Sequence, residues 1–219
     1  MVAPDLVSEE DIAKLIIPDD LPNDEPSFKA YIEAKVYDKD GHLIQHHRQP
    51  MRSLTQYFLA LMSIPLIGTF QSSSTNYATG ILTNVLGLPS QASNNSDCAG
   101  IKWDFSIQLG SGSQEFSLTL SSLAAPIANG TGSGQLTYLN KASSYTGTSI
   151  SLFITVQNVS GSTINVTEIG TFWNVQVVCG SCATTYNYNF LFSYDTFSTP
   201  VSIPNEGLAT FQVTLEFSG

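Results

Sequence analysis

Apolar side chains alternate with a period of two along most of this chain, and that pattern constrains the fold more than any other feature. Phe28, Ala30, Ile32, Ala34 and Val36 alternate with Lys29, Tyr31, Glu33, Lys35 and Tyr37. Trp103, Phe105, Ile107 and Leu109 form a second row, Ile150, Leu152, Ile154 and Val156 a third, and Phe211, Val213, Leu215 and Phe217 a fourth. Tyr186, Tyr188, Phe190, Phe192 and Tyr194 make an aromatic row. Successive side chains of a strand point to opposite faces, so each row marks the buried face of a strand. Turn signals separate the rows: Asp38-Lys39-Asp40-Gly41, Gly110-Ser111-Gly112, Asn129-Gly130, Ser160-Gly161 and Asn205-Glu206-Gly207.

The resulting strands are 28–37, 42–49, 78–86, 101–109, 115–121, 134–139, 148–157, 163–177, 185–194, 199–203 and 208–217. Many strands with one apolar face, at short spacing, predict an all-β, antiparallel β-sandwich of jelly-roll type. A single domain over 27–219 is long enough to bury a core without disulfides or metals. Two segments break the pattern. Within residues 51–62, Leu54, Tyr57, Phe58 and Leu61 have the spacing of a short amphipathic helix. Residues 1–26 read as an N-terminal arm. There Ser8 caps a helix over Glu9–Ile16, Val7 and Ile12 form a staple, and Pro18 and Pro22 end it. The arm either packs on its own domain or docks on a neighbouring subunit.

Charge is scarce and uneven. The chain has 8 Lys and Arg against 18 Asp and Glu, and residues 1–56 hold 11 of the acids and 6 of the bases. Beyond them the only bases are Lys102 and Lys141. The surface there must be built from Ser, Thr, Asn, Gln, Gly and Tyr. Such a surface needs little pH-dependent solvation and suits close packing, where each charge would require a desolvated partner. Nucleic-acid binding is not expected, because phosphate neutralisation needs clustered Lys and Arg. The acidic residues 1–20 lack the pattern of a secretory signal. The most apolar run, Phe58 to Phe70, is interrupted by Pro65 and falls short of the roughly 20 residues of a membrane span.

Motifs for chemistry are few. Cys179-Gly180-Ser181-Cys182 has no second CxxC or flanking His pair, so zinc is not expected. Cys179 and Cys182 either form a disulfide at a hairpin tip or stay reduced. Cys98, read as part of a polar loop, pairs with one of them or with a neighbour, or stays free. His42, His46 and His47 read as solvated strand histidines, and Asp38-Lys39-Asp40-Gly41 as a plain turn rather than a calcium loop. Glu168, Asp195 and Asp104 are isolated acids, expected to accept hydrogen bonds from turn amides rather than form a glycosidase pair. Glycosylation sequons begin at Asn94, Asn129, Asn158 and Asn165. No Ser–His–Asp, phosphate-loop or dinucleotide signature appears, so no catalytic residue, cofactor or metal is assigned.

Four blocks together resemble a family of phage and archaeal-virus virion structural proteins. The first is Val36-Tyr37-Asp38-Lys39-Asp40-Gly41 followed by Arg52-Ser53-Leu54 and Phe58-Leu59. The second runs from Gly100-Ile101 through Leu109-Gly110-Ser111-Gly112 to Gly134-Gln135-Leu136-Thr137-Tyr138. The third, and most specific, is Gln157-Asn158-Val159-Ser160-Gly161-Ser162-Thr163-Ile164-Asn165-Val166-Thr167-Glu168-Ile169-Gly170. The last is Tyr194-Asp195 with Thr199-Pro200-Val201-Ser202-Ile203-Pro204 and a closing strand; family members often carry Arg where this chain has Tyr194. The resemblance implies a non-enzymatic component of the virion exterior, such as a capsid vertex (penton or turret), spike, fibre or tail protein. Its low-charge surface is similar to that of exterior proteins of viruses from hot acidic springs. Its partners would be copies of itself, other virion proteins and a host receptor or glycan. The alternatives are a receptor- or glycan-binding β-sandwich module and an extracellular archaeal filament subunit.

Overall fold

The computed structural model describes residues 27–55, 58, 98–179 and 185–218. The arm over 1–26 and the strand expected over 78–86 lie outside them. Eight strands follow in order: β1 Ser27–Tyr37, β2 Leu43–Pro50, β3 Cys98–Gly110, β4 Thr137–Tyr145, β5 Ser149–Gln157, β6 Ile164–Cys179, β7 Thr185–Ile203 and β8 Leu208–Ser218. They form a five-stranded antiparallel sheet, β2-β1-β8-β5-β4, and a three-stranded antiparallel sheet, β3-β6-β7. The described residues are therefore all-β, and no helix among them is long and apolar enough to cross a membrane.

The alternating rows build the core. In the five-stranded sheet Ile32 lies opposite Val213 and Val213 opposite Leu152; Ala34, Phe211 and Ile154 repeat the arrangement one step along. These side chains join Ile107 and Leu109 of β3, Val166 and Ile169 of β6, and Val201 and Ile203 of β7 in one hydrophobic cluster. Both sheets thus bury one face in the same core, the main source of stability in such a fold. At the β1–β2 turn the Asp38 carboxylate accepts the N–H groups of Asp40 and His42, each at 2.9 Å, and Gly41 takes the φ of +84° that the turn requires.

Several local expectations fail for physical reasons. Met51–Thr55, the start of the helix expected over 51–62, is extended, whereas Phe58, the other described residue of that span, is helical. Met51 N–H donates to Ala30 (2.9 Å), Tyr194 N–H to Ser53 (3.0 Å) and Thr55 N–H to Phe192 (3.1 Å). The edge of β7 offers unpaired backbone groups, and satisfying them outweighs a short helix. Phe58 N–H turns back to the Thr55 carbonyl, and its ring packs edge-on against Phe192 at 4.9 Å. The other helical-spacing residues, Tyr57 and Leu61, lie outside the described residues.

Residues 115–121 form no strand; Leu120 N–H closes a turn on Ser117, and Leu120 packs against a second cluster of Leu123, Phe172, Leu191 and Tyr194. The strand expected over 134–139 begins at Thr137 and runs to Tyr145. The two strands expected over 185–203 are one, with Pro200 inside it. Pro200 has no N–H to leave unpaired, and its carbonyl accepts the Gln45 amide at 3.1 Å. A register irregularity in the β6–β7 ladder beside Phe172 breaks the aromatic row, so Tyr194 and Phe192 enter different clusters.

Candidate interaction surface

The histidines do not converge with a nucleophile among the described residues. His46 Nε2 lies 2.9 Å from Glu33 Oε1, whereas His47 Nε2 lies 2.8 Å from Gln49 Oε1 with its ring edge-on to Phe197. His42 Nδ1 stands 3.2 Å from Asp38. Asp38, Asp40 and His42 bring ligand-type atoms within 4.8 Å of one another, but Asp38 is committed to holding the turn. Those N–H groups, His42's foremost, keep the Asp38 carboxyl below its ordinary range.

The two internal acids of the later strands are turned inward. Glu168 on β6 is wholly buried, and its two oxygens accept the N–H groups of Ala125 (2.7 Å) and Ala124 (3.0 Å). Gly110, its register partner on β3, leaves room for this: a β-carbon there would stand 2.6 Å from Glu168 Cγ and 2.8 Å from the Ala125 carbonyl oxygen. Around it, Thr167 Oγ1 donates to Gly112 (2.6 Å), and the Tyr194 hydroxyl accepts Gln114 N–H (2.9 Å). Glu168 thereby clamps the connection between β3 and β4 onto the three-stranded sheet.

Asp195 on β7 accepts the N–H groups of Arg52 (2.7 Å) and Thr196 (3.1 Å). Burial pushes its carboxyl above the ordinary carboxylate range, against the pull of those two amides. A raised value in the folded state favours the folded chain below the ordinary carboxyl pKa, and the benefit is lost as pH rises through the raised value. Asp195→Asn removes this response. The stability advantage of the wild type over the variant is expected to be largest in acid and to shrink towards neutrality, as thermal melts of both across that range will read.

Both acids thus hold turn and segment amides, the role expected for them; the side chain of Asp104 is not among those described. With Glu168 and Asp195 inside, the charged side chains left on the outside over residues 105–174 and 189–217 are Glu115, Lys141, Glu206 and Glu216. The exterior is more neutral than the sequence count implies. Among the described residues its most open part is β4, at the edge of the five-stranded sheet and exposed from Leu139 to Tyr145. There Leu139 is 51% and Tyr145 74% exposed, and Lys141 is the single charge. Two grooves adjoin it along β3. One of about 240 Å³ lies between Phe105, Ile107, Lys141 and Leu152. The other, about 310 Å³, is lined by Gln108, Asn129, Asn174, Asn189 and Tyr138 without a charged side chain.

The sequons fare differently. Asn158 is fully buried; its amide nitrogen, the atom a glycan would occupy, donates to Ser162 (2.7 Å) and Ile203 (2.8 Å). Asn129 and Asn165 are exposed, and Asn94 lies outside the described residues. Cys98 opens strand β3 rather than sitting in a polar loop, because β3 extends past the predicted start to pair with the end of β6. Cys179 ends β6, and Cys182 lies outside the described residues.

The chain matches no protein-family model, and no curated protein or solved structure is significantly similar to it. The four-block resemblance to virion proteins has no counterpart in these comparisons. The described residues define a class: an all-β protein with charges gathered on β1, β2 and their turn, a charge-poor surface over residues 105–174 and 189–217, and two buried acids that serve architecture.

Proposed function

We propose that this chain is a non-enzymatic β-sandwich building block, placed on the exterior of a virus particle, that assembles with copies of itself and other virion proteins. The observation that carries the reading is the charge-poor exterior over residues 105–174 and 189–217, made more so by the inward turn of Glu168 and Asp195. A neutral polar surface is covered without stripping water from charges, the main penalty on a polar interface. The β4 edge offers backbone groups and exposed Leu139 and Tyr145 for such a contact, with Lys141 as its single guard charge. The virion placement rests on the four sequence blocks.

Light scattering after size exclusion tests the assembly reading. Self-association at micromolar concentration is expected, little changed by salt because few charges take part. Lysine at Ala142, exposed in the middle of β4, is expected to weaken it at least about tenfold, about 1.4 kcal/mol. A monomer at all concentrations would overturn the reading. A second reading, a glycan-binding module, is favoured by the groove with four carboxamides and Tyr138. Neutral amides paired with an aromatic side chain suit uncharged sugar hydroxyls. A glycan array without hits would remove it.

A further inference from the structure

The β3–β6 ladder runs in regular register from Gly110 opposite Glu168 to Gly100 opposite Val178. Continued unbroken, it would set Ala99 opposite Cys179. Instead the register shifts between Cys98 and Gly100, and Cys98 becomes the partner of Cys179. A bulge of this kind inserts one residue and re-aims its neighbours. Opposed residues of an antiparallel pair stand about 4.5–5.5 Å apart at their α-carbons, inside the roughly 4.4–6.8 Å that a disulfide spans. The chain has three cysteines, and this register singles out two of them.

We propose that Cys98 and Cys179 form a cross-strand disulfide closing the end of the three-stranded sheet, and that Cys182 remains a thiol. The two thiols each give up a proton, and together they pass two electrons to a disulfide oxidant, glutathione disulfide or a protein disulfide, which leaves as two thiols. The new S–S bond ties the first residue of β3 to the last of β6. It restricts the unfolded chain over the long loop that also holds β4 and β5. The pairing displaces the Cys179–Cys182 hairpin-tip disulfide, since Cys179 has one sulfur to give.

The full chain, equilibrated with glutathione disulfide, is denatured, alkylated without reduction, digested and mapped by mass spectrometry. The expected result is one cross-link carrying the Cys98 peptide, lighter by two hydrogens than the separate peptides, with Cys182 alkylated. The link should persist in Cys182→Ser and vanish in Cys179→Ser. Reduction should lower the melting temperature of the wild type and of Cys182→Ser but leave that of Cys98→Ser unmoved. A Cys179–Cys182 link, a Cys98–Cys182 link, or alkylation of all three cysteines would overturn the proposal.

Discussion

Glu168→Ala is expected to be strongly destabilising, at about 3–5 kcal/mol. The carboxylate is wholly buried and accepts two backbone N–H groups. Its removal leaves both donors without a partner, at about 1–3 kcal/mol each, and opens a cavity besides. In a domain of this size each kcal/mol lowers the melting temperature by about 2–4 °C, so a drop on the order of 10 °C follows. Glu168→Gln keeps one acceptor oxygen and turns an NH₂ group towards the other amide; about half the loss is expected. Hydrogen exchange locates the damage. Amides of residues 111–127 should lose protection before those of β8, because the clamp holds that connection while the β1–β8–β5 ladder stands apart from it. Equal loss across the whole chain would show that Glu168 holds no separable segment.

Asn158→Ala is expected to cost about 2–4 kcal/mol. Asn158 joins two turns that are remote in sequence. Its side-chain nitrogen donates to Ser162 and Ile203, its side-chain oxygen accepts Ser160 N–H and Oγ, and its backbone pairs with Glu206 and Gly207. Alanine retains the backbone bonds but orphans two carbonyls and a turn amide. Asn158→Asp is an informative companion. It is nearly isosteric yet sets a carboxylate oxygen against the two carbonyls, so it should destabilise at neutral pH and recover in part as acid protonates it. Denaturant titrations at two pH values measure both. A loss below about 0.5 kcal/mol for alanine, the range of an ordinary surface change, would show the side chain to be dispensable.

Asn158 also shows what was legible in the sequence. The third block of the resemblance, Gln157 to Gly170, stands out because its residues meet several geometric demands together: a buried amide, a glycine at φ +87° (Gly161), and the start of β6. The rows at Ile150–Val156 and Phe211–Phe217 predicted their strands well, since Leu152, Ile154, Val156, Phe211, Val213 and Leu215 are all buried and the row ends Ile150 and Phe217 alone are exposed. The second half of β4 was illegible for the opposite reason. Asn140 to Tyr145 meets no core on either face, so no alternation marks it. Phe116, Leu118 and Leu120 do alternate, yet Leu118 is exposed and Leu120 packs under a turn. The helical spacing at Leu54 and Phe58 gave no hint of the unpaired edge of β7 that claims residues 51–55. For the acids, the role was legible from their isolation. Their depth was not, because burial depends on Gly110 and on segments far away in sequence.

The contact between Gly110 and Glu168 bears on how this protein can diverge. A glutamate that must cross the space of its neighbour's missing β-carbon binds the two positions into one inheritance. Larger residues are admitted at 110 only in lineages that have already lost the acid at 168 and found another anchor for Ala124 and Ala125. A glycine facing a glutamate across adjacent strands is therefore the pair expected to change together in any relative of this chain.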